Sequence, residues 1–150
     1  MHVRRGDFKV YCSTRGEECL PQLSIYKKQV DNIKNELLMK RGLSVSNVVV
    51  TSGRWSGGSL VASSKDFSID ETSLDFWDDV KSQGWLHVNH TQEQTLERFG
   101  EWYPPLIDVV IQSMAVGLVG TEDSTLSLVS QRRVEDWNGG LVLNVNVQNI

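Results

Sequence analysis

His2, Arg4 and Arg5 stand almost side by side in His2-Val3-Arg4-Arg5-Gly6-Asp7. This grouping is chemistry for holding a phosphate, because a guanidinium is permanently charged and offers a planar fork of donors to phosphate oxygens. In an extended segment His2 and Arg4 point to one face and Arg5 to the other. One arginine then meets a pyrophosphate while the other braces the sheet or an acidic partner. Taken alone, the motif reads equally well as surface charge at a frayed terminus. A second cluster is Gly120-Thr121-Glu122-Asp123-Ser124-Thr125-Leu126-Ser127. A strand ending in Gly, a turn, and Ser124-Thr125 at a helix start present backbone N–H groups, a helix dipole and two hydroxyls to an anion. Plain N-capping by Ser124 or Asp123 is the commoner use of such residues. No Gly-Lys-Ser/Thr occurs, so this is not a Walker loop. The third candidate is Asp108, the one acid in an otherwise apolar helical run. A carboxylate there can accept paired N–H donors from a guanine edge, although an isolated acid on a helix more often faces water.

These residues need elements to hold them. Ile25, Val30, Ile33, Leu37 and Leu38 recur at helical spacing, so a helix is expected over Leu23 to Lys40, stopped at Gly42. Val45 to Ser52 is a β-branched run that suits a buried parallel strand. A helix over Asp75 to Ser82 and a short strand at Trp85 to Val88 follow. Pro104-Pro105 opens a helix through Met114. Ala115 to Gly120 suits a strand, Ser124 to Arg133 a helix, and Gly139 to Ile150 alternates like a terminal strand. Strand and helix alternate, which predicts an α/β fold built on a parallel sheet. Gly53 to Ile69 does not fit. It is Gly/Ser-rich, without periodicity, and far longer than the usual connection of about 2–6 residues. It is either a flexible surface insertion or a gene-model artefact such as a retained intron.

The 150 residues suffice for one domain with a core, and the net charge of −4 argues against a nucleic-acid binder. Basic clusters on an acidic chain suit a small anion better than a long polyanion. No stretch is long and apolar enough for a membrane span, and no leader pattern precedes the motif. Cys12 and Cys19 lack a zinc spacing and fit either a loop disulfide or two free thiols. Asn89-His90-Thr91 matches a glycosylation sequon. The HxRR motif normally sits at a strand exit, and the strand leading into it is expected to be missing.

The order of the three clusters resembles the GDP-fucose-dependent protein O-fucosyltransferase-like family, in particular its fungal-type members. The likeness rests on His2-Val3-Arg4-Arg5-Gly6-Asp7-Phe8 and on Trp102-Tyr103-Pro104-Pro105-Leu106-Ile107-Asp108. It continues through Gly117-Leu118-Val119-Gly120-Thr121 and Ser124-Thr125-Leu126-Ser127 to Arg132-Arg133. The resemblance implies a Rossmann-like parallel sheet, similar to the C-terminal half of a GT-B glycosyltransferase. It implies a partial nucleotide-sugar-binding domain over 1–150, with an insertion at 53–69 and a tail at 140–150 that the likeness does not cover. It further implies inverting transfer of fucose from GDP-fucose to a hydroxyl of a protein or glycan acceptor, without a metal or other cofactor. Arg4 would then be catalytic at the β-phosphate, His2 and Asp108 would address the guanine, and Ser124 and Thr125 would hold the pyrophosphate, with Arg5 a further substrate-binding residue. An ER or Golgi lumen location is implied for the family. The chain departs from the pattern in that the other domain and the first strand are expected to be absent, so the resemblance covers the donor-binding half alone. The alternative is a non-catalytic α/β binding or interaction module in which the motifs brace the fold.

Overall fold

A computed structural model describes residues 1–4, 21–52 and 74–146. Arg5, Cys12, Cys19 and the segment Gly53 to Ile69 lie outside the described residues. Helix α1 spans Leu23–Arg41 and buries Tyr26, Val30, Ile33 and Leu37, a stripe at helical spacing. Gly42 ends it in the left-handed region at φ 64°, as expected, with its N–H on the Leu38 carbonyl. The next elements are β1 (Val49–Val50), α2 (Leu74–Ser82) and β2 (Leu86–His87). After them come α3 (Thr95–Phe99), α4 (Tyr103–Ser113), β3 (Gly117–Thr121), α5 (Thr125–Asn138) and β4 (Leu141–Val145).

β1 is shorter than the β-branched run that suggested it. Strand structure is defined by pairing, and the run meets β2 only from Val48, whose carbonyl accepts from Leu86 N–H. Helix α5 runs past Arg133 to Asn138, where Gly139 at φ 56° terminates it. The alternating terminal segment pairs in parallel with β3, from Gly117↔Leu141 to Thr121↔Val145.

Residues 1–3 occupy the position where the leading strand was expected to be missing. Val3 N–H donates to the Thr51 carbonyl at 3.0 Å and Thr51 N–H to the Met1 carbonyl at 2.9 Å. On the other side His2 N–H donates to the Val119 carbonyl at 2.8 Å. β1 and β2 are parallel, β3 and β4 are parallel, and His2 bridges Thr51 in parallel. The hydrogen bonds therefore run β2, β1, N-terminal segment, β3, β4.

Helices cover both faces. A Cβ on Gly117 would lie 2.6 Å from Ile33 Cγ2 of α1, whereas one on Gly120 would lie 2.9 Å from Ser127 Cβ of α5. α2 packs beside α1, and α4 beside α5. The apolar core joins Val3, Tyr26, Val30, Ile33, Leu37, Val50, Phe76, Val80 and Trp85. The molecule is thus an α/β fold with small parallel sheets. Among the described residues no helix is long and apolar enough to cross a membrane.

Candidate functional site

From the N-terminal segment the chain moves outward to β1 and β2, then crosses back to place β3 and β4 on the other side. The reversal of strand order lies between the N-terminal segment and β3. In open parallel sheets that point, outside the carboxyl ends of the strands, is where ligands bind. Arg4 leaves the segment at that end, and the β3–α5 turn, Glu122 to Ser124, lies next to it.

The two carboxyl ends are joined by side chains. Arg4 N–H donates to Thr121 Oγ1 at 3.0 Å. The same hydroxyl lies 3.2 Å from the His2 carbonyl and 2.8 Å from the Tyr26 hydroxyl of α1. Ser127, on the first turn of α5, ties the other face. Its Oγ accepts from Thr121 N–H at 3.0 Å and lies 2.7 Å from His2 Nδ1. Ser127 Oγ and His2 Nδ1 share one hydrogen, and the tautomer of the ring decides which of them donates it. Burial, then the charge of Arg4, then the terminal ammonium push the His2 pKa down to about 3. His2 is fully buried, and among the described residues its Nε2 has no hydrogen-bond partner. It forms the floor of the corner and meets no solvent.

Ser124 caps α5, its side chain accepting from Ser127 N–H at 3.4 Å. Asp123, at φ 63°, makes the sharp turn before it. Thr125, the first helical residue, is exposed. The start of α5 therefore faces the exit of Arg4 with its first-turn N–H groups, an arrangement that favours an anion. Arg4 is half-buried.

Asp108 departs from the sequence reading. It is 1% exposed, not on a solvated face. Helix α4 buries Pro104, Pro105, Asp108, Val109 and Gln112 and exposes Leu106 and Val110, so its buried face mixes polar and apolar side chains. Gln112 Nε2 donates to Thr51 Oγ1 at 2.8 Å, which sets the helix over the strands. Because α4 leads into the amino end of β3, Asp108 lies one turn nearer the carboxyl ends than Gln112. Its Oδ1 is 3.0 Å from His90 Nε2, and His90 Nδ1 is 3.1 Å from Thr95 Oγ1. Burial pushes the Asp108 pKa up, and the hydrogen bond and charge of His90 oppose that shift. Among the described residues Asp108 Oδ2 has no hydrogen-bond partner.

The structure thus joins His2 and Ser124 through Ser127 and sets Arg4 beside them. It holds Asp108 in a separate pairing with His90 under the same layer of helices. Thr121 and Ser127 belong to the Gly-Thr and Ser-Thr motif but were not singled out by sequence. Tyr26, His90, Thr95 and Gln112 carried no local signal, because their roles depend on partners distant in the chain. Among the described residues no three His, Cys, Asp or Glu side chains gather to hold a metal ion. Comparison with protein-family models, with curated proteins and with solved structures returns no match.

Proposed function

We propose that this chain is the donor-binding part of a fucosyltransferase-like enzyme, a Rossmann-like domain similar to the C-terminal half of a GT-B glycosyltransferase. It binds GDP-fucose for inverting transfer of fucose to a hydroxyl of a protein or glycan acceptor. One observation carries the reading. Arg4 leaves the central segment beside the capped start of α5, where the strand order reverses. In this reading Arg4 stabilises the charge that develops on the departing diphosphate, since a fixed cation is worth most where charge appears in the transition state. The α5 N–H groups and Thr125 hold the pyrophosphate, and Ser124 and His2 shape the turn that presents them. Asp108 addresses the base.

The test is a thermal melt with GDP, with ADP as control. A ligand that binds only the native state raises the melting temperature. GDP is expected to raise it and ADP to leave it nearly unchanged. Arg4→Ala is expected to abolish the GDP shift, and an unchanged GDP affinity in that variant would count against the assignment.

A second reading has its own observation. Trp102, Leu106, Val110 and Met114 form an exposed apolar ridge along α4 at four-residue spacing. Exposed apolar faces of this kind mark interaction surfaces, which favours a non-catalytic binding module. That module predicts no preference for GDP over ADP.

A further inference from the structure

Residues 1–3 hold β1 and β3 apart by the width of one strand, and toward the amino ends a cavity of about 310 Å³ lies between the two. Ile33 and Leu37 of α1 close one face, and Ile111 of α4 closes the other. Met114 and Val116 line the cavity and are exposed, so it opens to solvent there. Its two remaining walls are strand backbone. In a parallel ladder, alternate residues turn their N–H and C=O groups to alternate sides. Leu86 N–H takes the Val48 carbonyl and Leu141 N–H the Val116 carbonyl, so even-numbered residues of β1 and β3 serve the outer strands. Val49 and Val119 therefore face inward, and their carbonyls accept from the Met1 nitrogen at 2.7 Å and from His2 N–H at 2.8 Å. Their N–H groups point into the cavity, and among the described residues neither makes a hydrogen bond. Val119 is 2% exposed, and a buried N–H without a partner is rare. The Asn47 and Gly117 carbonyls face the same way two residues earlier. Two residues of extended chain in line with Met1 serve all four groups. The nearer gives its carbonyl to Val119 and its N–H to Gly117, and the farther does the same for Val49 and Asn47.

We propose that this slot takes the apolar carboxyl-terminal tail of a partner polypeptide, seated as a parallel strand between β1 and β3 with its carboxylate against the Met1 amino group. Strand addition of this kind draws affinity from main-chain hydrogen bonds and specificity from the side-chain pockets. The Met1 nitrogen closes the inner end, so a chain entering from the mouth ends there. A carboxylate meets that amino group favourably, whereas an antiparallel tail would bring a second ammonium to it. A salt contact exceeds a peptide bond by about 1.4 Å, and the open mouth lets the tail sit that much further out. Burial lowers the Met1 amino pKa to about 5, against the charge of Asp108 of α4. The other titratable groups around it are His2 and Lys34 of α1, neither of them an anion. An arriving carboxylate supplies one and draws the proton back. Side chains alternate along the tail. The last shares the face of His2, toward α4 and α5, and the one before it shares the face of Val3, toward α1. Both faces are apolar there, so the tail carries no side-chain charge at either position. The slot lies at the amino ends of the strands and Arg4 at the carboxyl end, so the proposal does not depend on the donor-nucleotide reading.

The experiment titrates the 150-residue chain with a synthetic octapeptide ending in Val-Ile-Val with a free carboxylate. Its carboxyl amide and a version with Asp in place of the Ile are the controls, and amide hydrogen exchange reports where the peptide sits. The free acid is expected to bind and, at saturation, to slow exchange at Val49 and Val119 by at least about tenfold. The amide is expected to bind about tenfold or more weakly, the scale of a hydrogen bond to a charged group. The Asp version is expected to lose at least as much, because it buries an unpaired charge. Acetylation of the Met1 amine removes its charge and puts an acyl group in the first position of the slot, so the acetylated chain is expected to lose peptide binding. Equal affinity for acid and amide overturns the proposal, as does unchanged binding by the acetylated chain. Protection confined to α4, with none at Val49 and Val119, overturns it too and assigns the peptide to the exposed apolar ridge. No binding of the free acid also overturns it and leaves the donor-nucleotide reading untouched. If the acetylated chain does not fold, the acid–amide comparison and the exchange pattern decide.

Discussion

Protonation of His2 works against the fold. Its pKa falls from 6.5 to about 3, because the ring is buried and faces the charges of Arg4 and of the terminal ammonium. The folded value lies below the unfolded one, so between them the unfolded chain binds more protons. The contribution of His2 to stability is therefore complete above pH 6.5 and drains away as pH falls toward 3. One such proton gives a slope of up to about 1.4 kcal/mol per pH unit. Asp108 acts with the opposite sign. Its raised pKa relieves the cost of a buried charge as pH falls through its folded value, offsetting part of the loss at the acid end. The melting temperature is expected to drop between pH 7 and pH 5, and His2→Asn, which removes the basic ring, is expected to reduce that slope without abolishing it, because the buried terminal ammonium, its pKa lowered to about 5, acts with the same sign. A wild-type melting temperature that does not move over this range would refute the account. The residue types of this corner were legible in sequence, since His2, Arg4 and Ser124 stand in recognisable motifs. Their partners were not. Nothing near Asp108 announces that it is buried, and nothing ties it to His90, eighteen positions earlier.

At the scale of elements, the seam between β3 and α5 determines how closely the anion-facing helix approaches the sheet. Gly120 permits the approach. A Cβ there would lie 2.5 Å from Gln131 Nε2 and 2.9 Å from Ser127 Cβ. The amide is the end of a flexible side chain and can swing away, but Ser127 Cβ is held by its helix. Gly120→Ala is expected to destabilise by about 1–3 kcal/mol in urea unfolding, the range for overpacking a tight core. Because Ser127 also holds His2, the same change is expected to weaken the pH dependence described above. Periodicity placed most elements within a few residues, and it did so best where one face is plainly apolar, as in α1 with Tyr26, Val30, Ile33 and Leu37 inside. It placed α4 but not its buried face, where Asp108 and Gln112 lie inside with Val109 while Leu106 and Val110 are outside. An amphipathic pattern reports which residues differ from their neighbours. It does not report which side the protein turns inward when polar groups have partners there.

For the whole molecule, the decisive feature is the short N-terminal segment between two pairs of strands. It completes the strand order only through contacts remote along the chain: 48 positions to Val49 on one side and 117 to Thr121 on the other. The carboxyl corner with Arg4 exists only once both sets of contacts are made. Contacts between neighbouring elements, such as β3–α5–β4, close short loops and form early at small entropic cost. Those of residues 1–4 close far longer loops and are expected to come late. Val3 is fully buried in this junction, so Val3→Ala is expected to cost about 2 kcal/mol. If docking of the segment follows the folding barrier, that loss appears almost wholly as faster unfolding, with the refolding rate unchanged; a matching slowdown in refolding would place the segment in the nucleus instead. The same late docking makes the lifetime of an intact anion corner a kinetic quantity, governed by how fast four residues peel from the middle of the sheet while the helices around them remain formed.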